Sequence, residues 1–331
     1  MEQSITSSRD PIAGRRNGGG GGPHTTGRGD RLMDLVRWQV GFGPRYPGTE
    51  AHERFRRSLG DRMAEAADEL HVQRFSVDLG HGPVPCSNLI SVVRGRAGRG
   101  ARGIPRDRMP DRPPLLLGTH FDTRPRADNE TDPERRERPI LGANDGGSGT
   151  AVLLDLLDRL SRGEMDRGRL ERDLLLVLFD AEDVGDIGGN RFSMGARYLA
   201  ANPLPAAVGT PGEAIILDMI GGREASLDID AHVLHHPGSR RLTERIFGLG
   251  LSMELGPFLR PKRNGGSRFR HVVCDQIPFL TRGIPSCLLI DMDYPEWHTH
   301  GDLPEAMSGG SLVQIEDLLA HIVLGQGPEP H

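Results

Sequence analysis

Six consecutive apolar residues, Leu174 to Phe179, run without a spacer into Asp180-Ala181-Glu182-Asp183. An apolar run of that length, bounded by polar residues, is the pattern of a strand buried on both faces. Pro114 to Gly118 repeats it in shorter form and leads into Thr119-His120-Phe121-Asp122. Glu213 to Leu217 ends at Asp218, and Ile284 to Ile290 leads to Pro295-Glu296-Trp297-His298-Thr299-His300. Two more strands are expected around His71 to Val77 and Ser87 to Val93.

Between these runs the apolar period lengthens to that of a helix. Leu32, Leu35, Val36 and Val40 share a face from Asp30 onward, until Gly41 to Gly48 breaks the pattern. Thr49 is placed to cap a second helix with the stripe Phe55, Leu59, Met63 and Ala67. Helices are also expected over Thr150 to Leu160, Arg191 to Ala200, residues 239–248 and Ser311 to Leu324. Strands alternating with helices predict an α/β protein, a three-layer α/β/α sandwich with a mixed, largely parallel central sheet. One catalytic domain is expected over residues 30–325, followed by a short tail at 326–331. The Gly/Arg-rich residues 1–29 are too polar to offset their ordering entropy and are expected to be disordered. Residues 94–112 and 124–138, rich in Arg, are expected as solvated insertions.

Composition narrows the function. A formal net charge of -5 with no sustained basic face argues against a general nucleic-acid binder, and no apolar run is long enough for a bilayer. Cys86, Cys274 and Cys287 are too few and scattered for a disulfide framework or a thiolate metal site. The N-terminus lacks the apolar core of a signal peptide, so a cytoplasmic location is expected. Lys262 is the only lysine.

Carboxylates and imidazoles remain to carry the chemistry. His120 and Asp122, Glu182 and Asp183, Asp218, and His298 each follow an expected strand, while Asp145 opens a helix within the glycine-rich stretch Gly142 to Gly149. In open α/β sheets, ligands bind outside the carboxyl ends of strands, so these groups can converge. Crowded carboxylates call for a cation or a retained proton. An oxygen and nitrogen donor set without thiolate suits zinc.

In this order and strand context the set resembles metallopeptidase family 28, whose members have a zinc-exopeptidase fold, over about residues 30–325. Within that family the chain is similar to the glutaminyl-peptide cyclotransferases of bacterial type. Trp297 directly before His298, Glu182-Asp183, Arg45-Tyr46-Pro47-Gly48-Thr49 and Cys274-Asp275-Gln276-Ile277-Pro278-Phe279 carry the likeness. Cys274 and Gln276 stand where that group has Asp and His.

The resemblance implies one zinc held by Asp145, Asp183 and His298, and conversion of N-terminal glutamine to pyroglutamate with release of ammonia. Glu182 would carry the proton, with Asp218 and Asp275 in a hydrogen-bond network beside it. Trp297 and Phe279 would contact substrate, and Thr119 to Asp122 would be the remnant of a two-metal site. Substrates would be peptide or protein N-termini, with neither nucleic acid nor membrane as partner and the oligomeric state open. The alternative is a two-zinc aminopeptidase in which His120 and Asp218 are further ligands, Asp145 bridges and Glu182 activates water. A catalytically silent binding module that kept the fold is a third reading.

Overall fold

The computed structural model describes residues 27–95, 112–263 and 265–325. Residues 1–26, most of the 94–112 insertion and the tail from 326 lie outside that description. Arg28 and Gly29, expected to be disordered, instead form the first turn of α1 (Arg28–Val40), because Arg28 pairs with Asp317 at 2.6 Å and Glu316 at 3.5 Å.

After α1 come α2 (Glu50–Ala66), β1 (Glu69–Asp78), β2 (Pro83–Val93), β3 (Leu115–His120), the short α3 (Pro133–Arg136), α4 (Gly147–Ser161) and β4 (Leu174–Phe179). The chain continues through α5 (Met194–Ala201), β5 (Glu213–Asp218), β6 (Ile229–Asp230), α6 (Pro237–Ser252), α7 (Gly256–Leu259), β7 (Phe269–Arg270), α8 (Gln276–Thr281), β8 (Ser286–Ile290) and α9 (Gly309–Val323). Thr49 caps α2 by accepting from the His52 N–H, as its position before the apolar stripe predicts.

The main sheet has the order β1-β2-β4-β3-β5-β8. β4, β3, β5 and β8 are parallel, and β2 and β1 extend the β4 edge antiparallel. Alternation along the apolar runs divides the core in two. Leu174, Leu176 and Leu178 face the layer containing α1, α2, α4, α6 and α9, while Leu175, Val177 and Phe179 face α5 and α8. Two packed faces explain why β4 needs six apolar residues in a row. Among the described residues, no helix is long and apolar enough to cross a membrane.

Two departures from the expected elements matter for the site. α4 starts three residues early, inside the glycine-rich turn, because the helix approaches β3 so closely that a Cβ on Gly149 would lie 2.1 Å from Thr119 Oγ1. α8 was not expected; at six residues it is too short to show a helical apolar period, yet it places Asp275 at its N-cap. Because β3, β4, β5 and β8 run parallel, their C-terminal ends open on one side of the sheet.

Candidate metal and catalytic centre

At that side, three buried side chains converge. Asp145 lies in the turn before α4, where the backbone N–H groups of Asn144 and Asp145 donate to the two oxygens of Asp302 at 2.8 and 3.1 Å. Arg45, fully buried, donates to the carbonyls of Leu141 and Gly142 at 2.8 and 2.9 Å and fixes the same turn. Asp183 follows β4 in a tight turn whose Glu182 and Asp183 N–H groups donate to Asp122 at 3.0 and 3.1 Å. Asp122 therefore shapes the acidic turn. His298 Nε2 lies 3.3 Å from Asp183 Oδ1 and 3.5 Å from Asp145 Oδ2.

Asp145, Asp183 and His298 each offer a donor atom, all within 4.8 Å of one another. Asp145 Oδ2 and Asp183 Oδ2 are buried and accept no hydrogen bond from the described residues. Buried carboxylate oxygens without a donor are costly, and a shared cation removes that cost. The donor set fits a divalent metal of the zinc type. A second group, His120, Asp145 and Asp218, meets the same distance limit. His120 Nε2 is 3.2 Å from Asp145 Oδ1 and 3.4 Å from Asp218 Oδ1, so Asp145 turns one oxygen to each group.

The electrostatics follow from burial and crowding. Burial, reinforced by Asp275, Asp183 and Asp218 and opposed by His120, raises the Glu182 pKa well above the usual carboxylate range. Burial lifts Asp275 to about 8 and Asp183 to about 6. Burial alone would also raise Asp145, but His120 and His298 hold it low. Burial works against protonation of His298, yet Asp183 and Asp145 outweigh it and raise its pKa. The same contest at His120 is won by Asp122, Asp145 and Asp218.

Residues 104–323 match the model of Peptidase family M28. The chain belongs to that family. It is 25% identical over 317 residues to the glutaminyl-peptide cyclotransferase of Bos taurus, covering 87% of this chain and 81% of that protein. It superimposes on a glutaminyl cyclase from Fimbriiglobus ruber with a TM-score of 0.73 and 26% identity, covering 89% of this chain and 94% of the other. A Zn-dependent exopeptidase from Parabacteroides distasonis gives a TM-score of 0.74 at 23% identity, covering 89% and 97%.

The other expected site residues of this M28 chain divide into two groups. Asp218 Oδ2 lies 3.4 Å from Cys274 Sγ, so the cysteine thiol can donate to it. Asp275 is fully buried and neither of its oxygens finds a hydrogen-bond donor among the described residues. Trp297 is half-buried, its ring 4.6 Å from that of His298. Phe279 departs from its expected substrate contact. It is 1% exposed and packs against Phe179 in the core, because α8 turns that face onto the sheet. Gln276 also points away from the carboxylates, donating to Asp230 Oδ2 at 2.8 Å and the Val272 carbonyl at 2.9 Å.

Sequence reasoning missed Ser193, whose Oγ is 3.1 Å from Glu182 Oε1, and Asp302, which accepts from the Asp145 turn and from the Tyr294 hydroxyl at 2.8 Å. Asp302 is 158 residues from Asn144 in the chain, and Ser193, only 11 residues from Glu182, reaches it across an irregular loop. Residue type alone carries no signal for them.

Proposed function

We propose that this M28 chain is a zinc-dependent glutaminyl-peptide cyclotransferase that converts N-terminal glutamine of peptides to pyroglutamate and releases ammonia. The observation that carries the reading is Glu182, a buried carboxyl with a raised pKa, next in the chain to Asp183 and therefore beside the Asp145, Asp183 and His298 group. Likeness to the bovine cyclotransferase across 87% of the chain supports cyclisation as the reaction.

Asp145, Asp183 and His298 would hold one zinc. When bound, the metal supplies a Lewis acid that polarises the side-chain carbonyl of the substrate glutamine. Glu182 Oε1 accepts from Ser193, which leaves Oε2 to exchange protons with substrate. The α-amine of the substrate attacks its own side-chain carbonyl carbon, and Glu182 Oε2 takes the proton the amine loses. The C–N bond to the amide nitrogen then breaks, and the same proton passes from Oε2 to that nitrogen, which leaves as ammonia. A carboxyl with a raised pKa suits both transfers near neutral pH. Asp275, lifted to about 8, retains a proton in that range and can donate a hydrogen bond inside the cluster. Trp297, against His298, would wall the pocket, so the substrate amine rather than water meets the carbonyl.

The intact His120, Asp145 and Asp218 group favours a second reading, a two-metal aminopeptidase. Zinc-loaded protein assayed by mass on paired peptides, one with N-terminal Gln and one with N-terminal Leu, separates them. Loss of ammonia from the Gln peptide with the Leu peptide intact supports the cyclase. Release of free Leu supports the aminopeptidase and moves His120 and Asp218 into the metal shell.

A further inference from the structure

Residues 124–138, a solvated insertion on the sequence pattern, are folded against the loop that carries His298. Asn129 donates its backbone N–H to the His298 carbonyl at 3.1 Å and its side-chain amide to the Trp297 carbonyl at 3.0 Å. Glu130 Oε1 accepts from the His300 backbone N–H at 3.0 Å and from His300 Nδ1 at 2.8 Å. Between these anchors, Asp128 Oδ2 stands 3.6 Å from His298 Nδ1. Nε2 of the same ring faces Asp145 and Asp183.

His298 places two demands on its surroundings. Its backbone sits at φ 53°, in the left-handed region that a residue with a Cβ keeps only when neighbouring contacts over-determine it. Asn129 pins the carbonyls on both sides of the His298 Cα, which fixes that conformation. The ring must also offer an unprotonated Nε2 to a metal, so its proton must stay on Nδ1, opposite an acceptor. Asp128 Oδ2, 3.6 Å from Nδ1, is the carboxylate oxygen that faces it there.

Asp128 is itself held in place. Its Oδ2 accepts from Arg124 Nε at 2.7 Å, and its Oδ1 pairs with Arg126 at 2.6 Å. Arg124, 2% exposed, also donates to the carbonyls of Asp183 and Gly185 at 2.9 and 2.7 Å. A single guanidinium thus ties the carboxylate facing His298 to the turn that presents Asp183.

We propose that Asp128 is a positioning residue for His298, accepting the Nδ1 proton and so holding the ring with Nε2 toward Asp145 and Asp183. The inference rests on the reading of His298 as a metal ligand. Its test is the zinc dissociation constant of the full chain, measured by competition with a chromogenic chelator, with the melting midpoint of the metal-free protein alongside. Asp128→Asn is expected to weaken zinc about 10- to 100-fold while the metal-free midpoint stays near that of the unaltered protein. Arg126→Gln, which removes an Asp128 partner remote from the ring, is expected to stay within about twofold.

His298→Ala distinguishes the two layers of the argument. If it binds zinc as tightly as the unaltered protein, the ligand assignment fails. If it loses zinc while Asp128→Asn keeps full affinity, the role of Asp128 alone is overturned. A loss in Arg126→Gln as large as in Asp128→Asn also overturns it, because loop integrity and not the Nδ1 contact would then be responsible. Should Asp128→Asn not fold, Asp128→Glu keeps the charge but displaces the oxygen by a methylene. Zinc weakened at least threefold in that variant supports the role, and unchanged affinity overturns it.

Discussion

Ser193 holds Glu182 at two points: its hydroxyl lies 3.1 Å from Oε1, and its backbone N–H donates to the Glu182 carbonyl at 2.9 Å. The serine is fully buried and left-handed, at φ 64°, which orients its hydroxyl from the N-terminus of α5 back toward the acidic turn. Removing the hydroxyl in Ser193→Ala leaves Oε1 without that donor. A buried hydrogen bond to a charged group is worth about 1.5–3 kcal/mol, so kcat is expected to fall roughly 10-fold or more with zinc content unchanged. Ser193→Gly relieves the backbone but also lacks the hydroxyl, so it should lose kcat equally. A Gly variant with normal kcat beside a slow Ala variant would assign the effect to backbone strain.

Glu182→Gln tests the proton carrier directly. The amide is nearly isosteric and leaves Asp145, Asp183 and His298 in place, so zinc measured by atomic absorption should be retained. General acid–base catalysis contributes about 10²–10⁴-fold, and kcat should fall by that order. A rate close to that of the unaltered protein would remove Glu182 from proton transfer.

The candidate site was legible wherever an ionisable residue follows an apolar run. His120 ends β3, Glu182 and Asp183 follow β4, Asp218 ends β5 and His298 lies beyond β8, and parallel pairing brings them together. Asp122 shared that signature, yet its oxygens are taken by the Glu182 and Asp183 N–H groups, a difference that depends on direction rather than position. Phe279 was misjudged for a similar reason, since a six-residue helix shows no periodicity from which its buried face can be read. The insertion at 124–138 read as solvated because its composition is charged. Its contacts with the His298 loop are made by Asp128, Asn129 and Glu130, whose partners at 297–300 are about 170 residues away.

The centre should also set how stability depends on pH. Asp183 and Asp275, with folded pKa values of about 6 and about 8, lie above the ordinary Asp value near 3.9. The folded state therefore binds more protons than the unfolded state between those limits, and stability falls as pH rises through them. His298 and His120, raised above their ordinary value, act with the same sign from about pH 6.5 upward. Asp145, held low, acts oppositely but only in acid. Metal-free protein is thus expected to melt lower at pH 8 than at pH 5.5. Zinc held by Asp145, Asp183 and His298 would need them deprotonated, so the midpoint gain on adding it should grow over the same range. A metal-free midpoint that rises from pH 5.5 to 8 would contradict the buried-carboxyl account.

Lys262 supports the far end of the loop that delivers Trp297 and His298. The chain's only lysine is 4% exposed, with Nζ 2.8 Å from Asp228, 3.3 Å from Asp291 and 3.4 Å from Asp293, and it donates to the Ser226 carbonyl at 2.5 Å. A compact ammonium with three donors can serve the Ser226 carbonyl, Asp228 and Asp291 together, whereas a planar guanidinium presents its donors in a fixed fork. Lys262→Met would leave the carboxylates buried, with Arg270 reaching only Asp228 and Asp293, at 3.0 and 2.5 Å. Breaking a buried pair from one side costs about 3–5 kcal/mol, which in a domain of this size lowers the melting midpoint by on the order of 10 °C. Lys262→Arg keeps the charge and should fall between the two. Calorimetry of the three proteins checks the order, and a Met variant as stable as the unaltered chain would mean that the carboxylates are neutralised without the lysine.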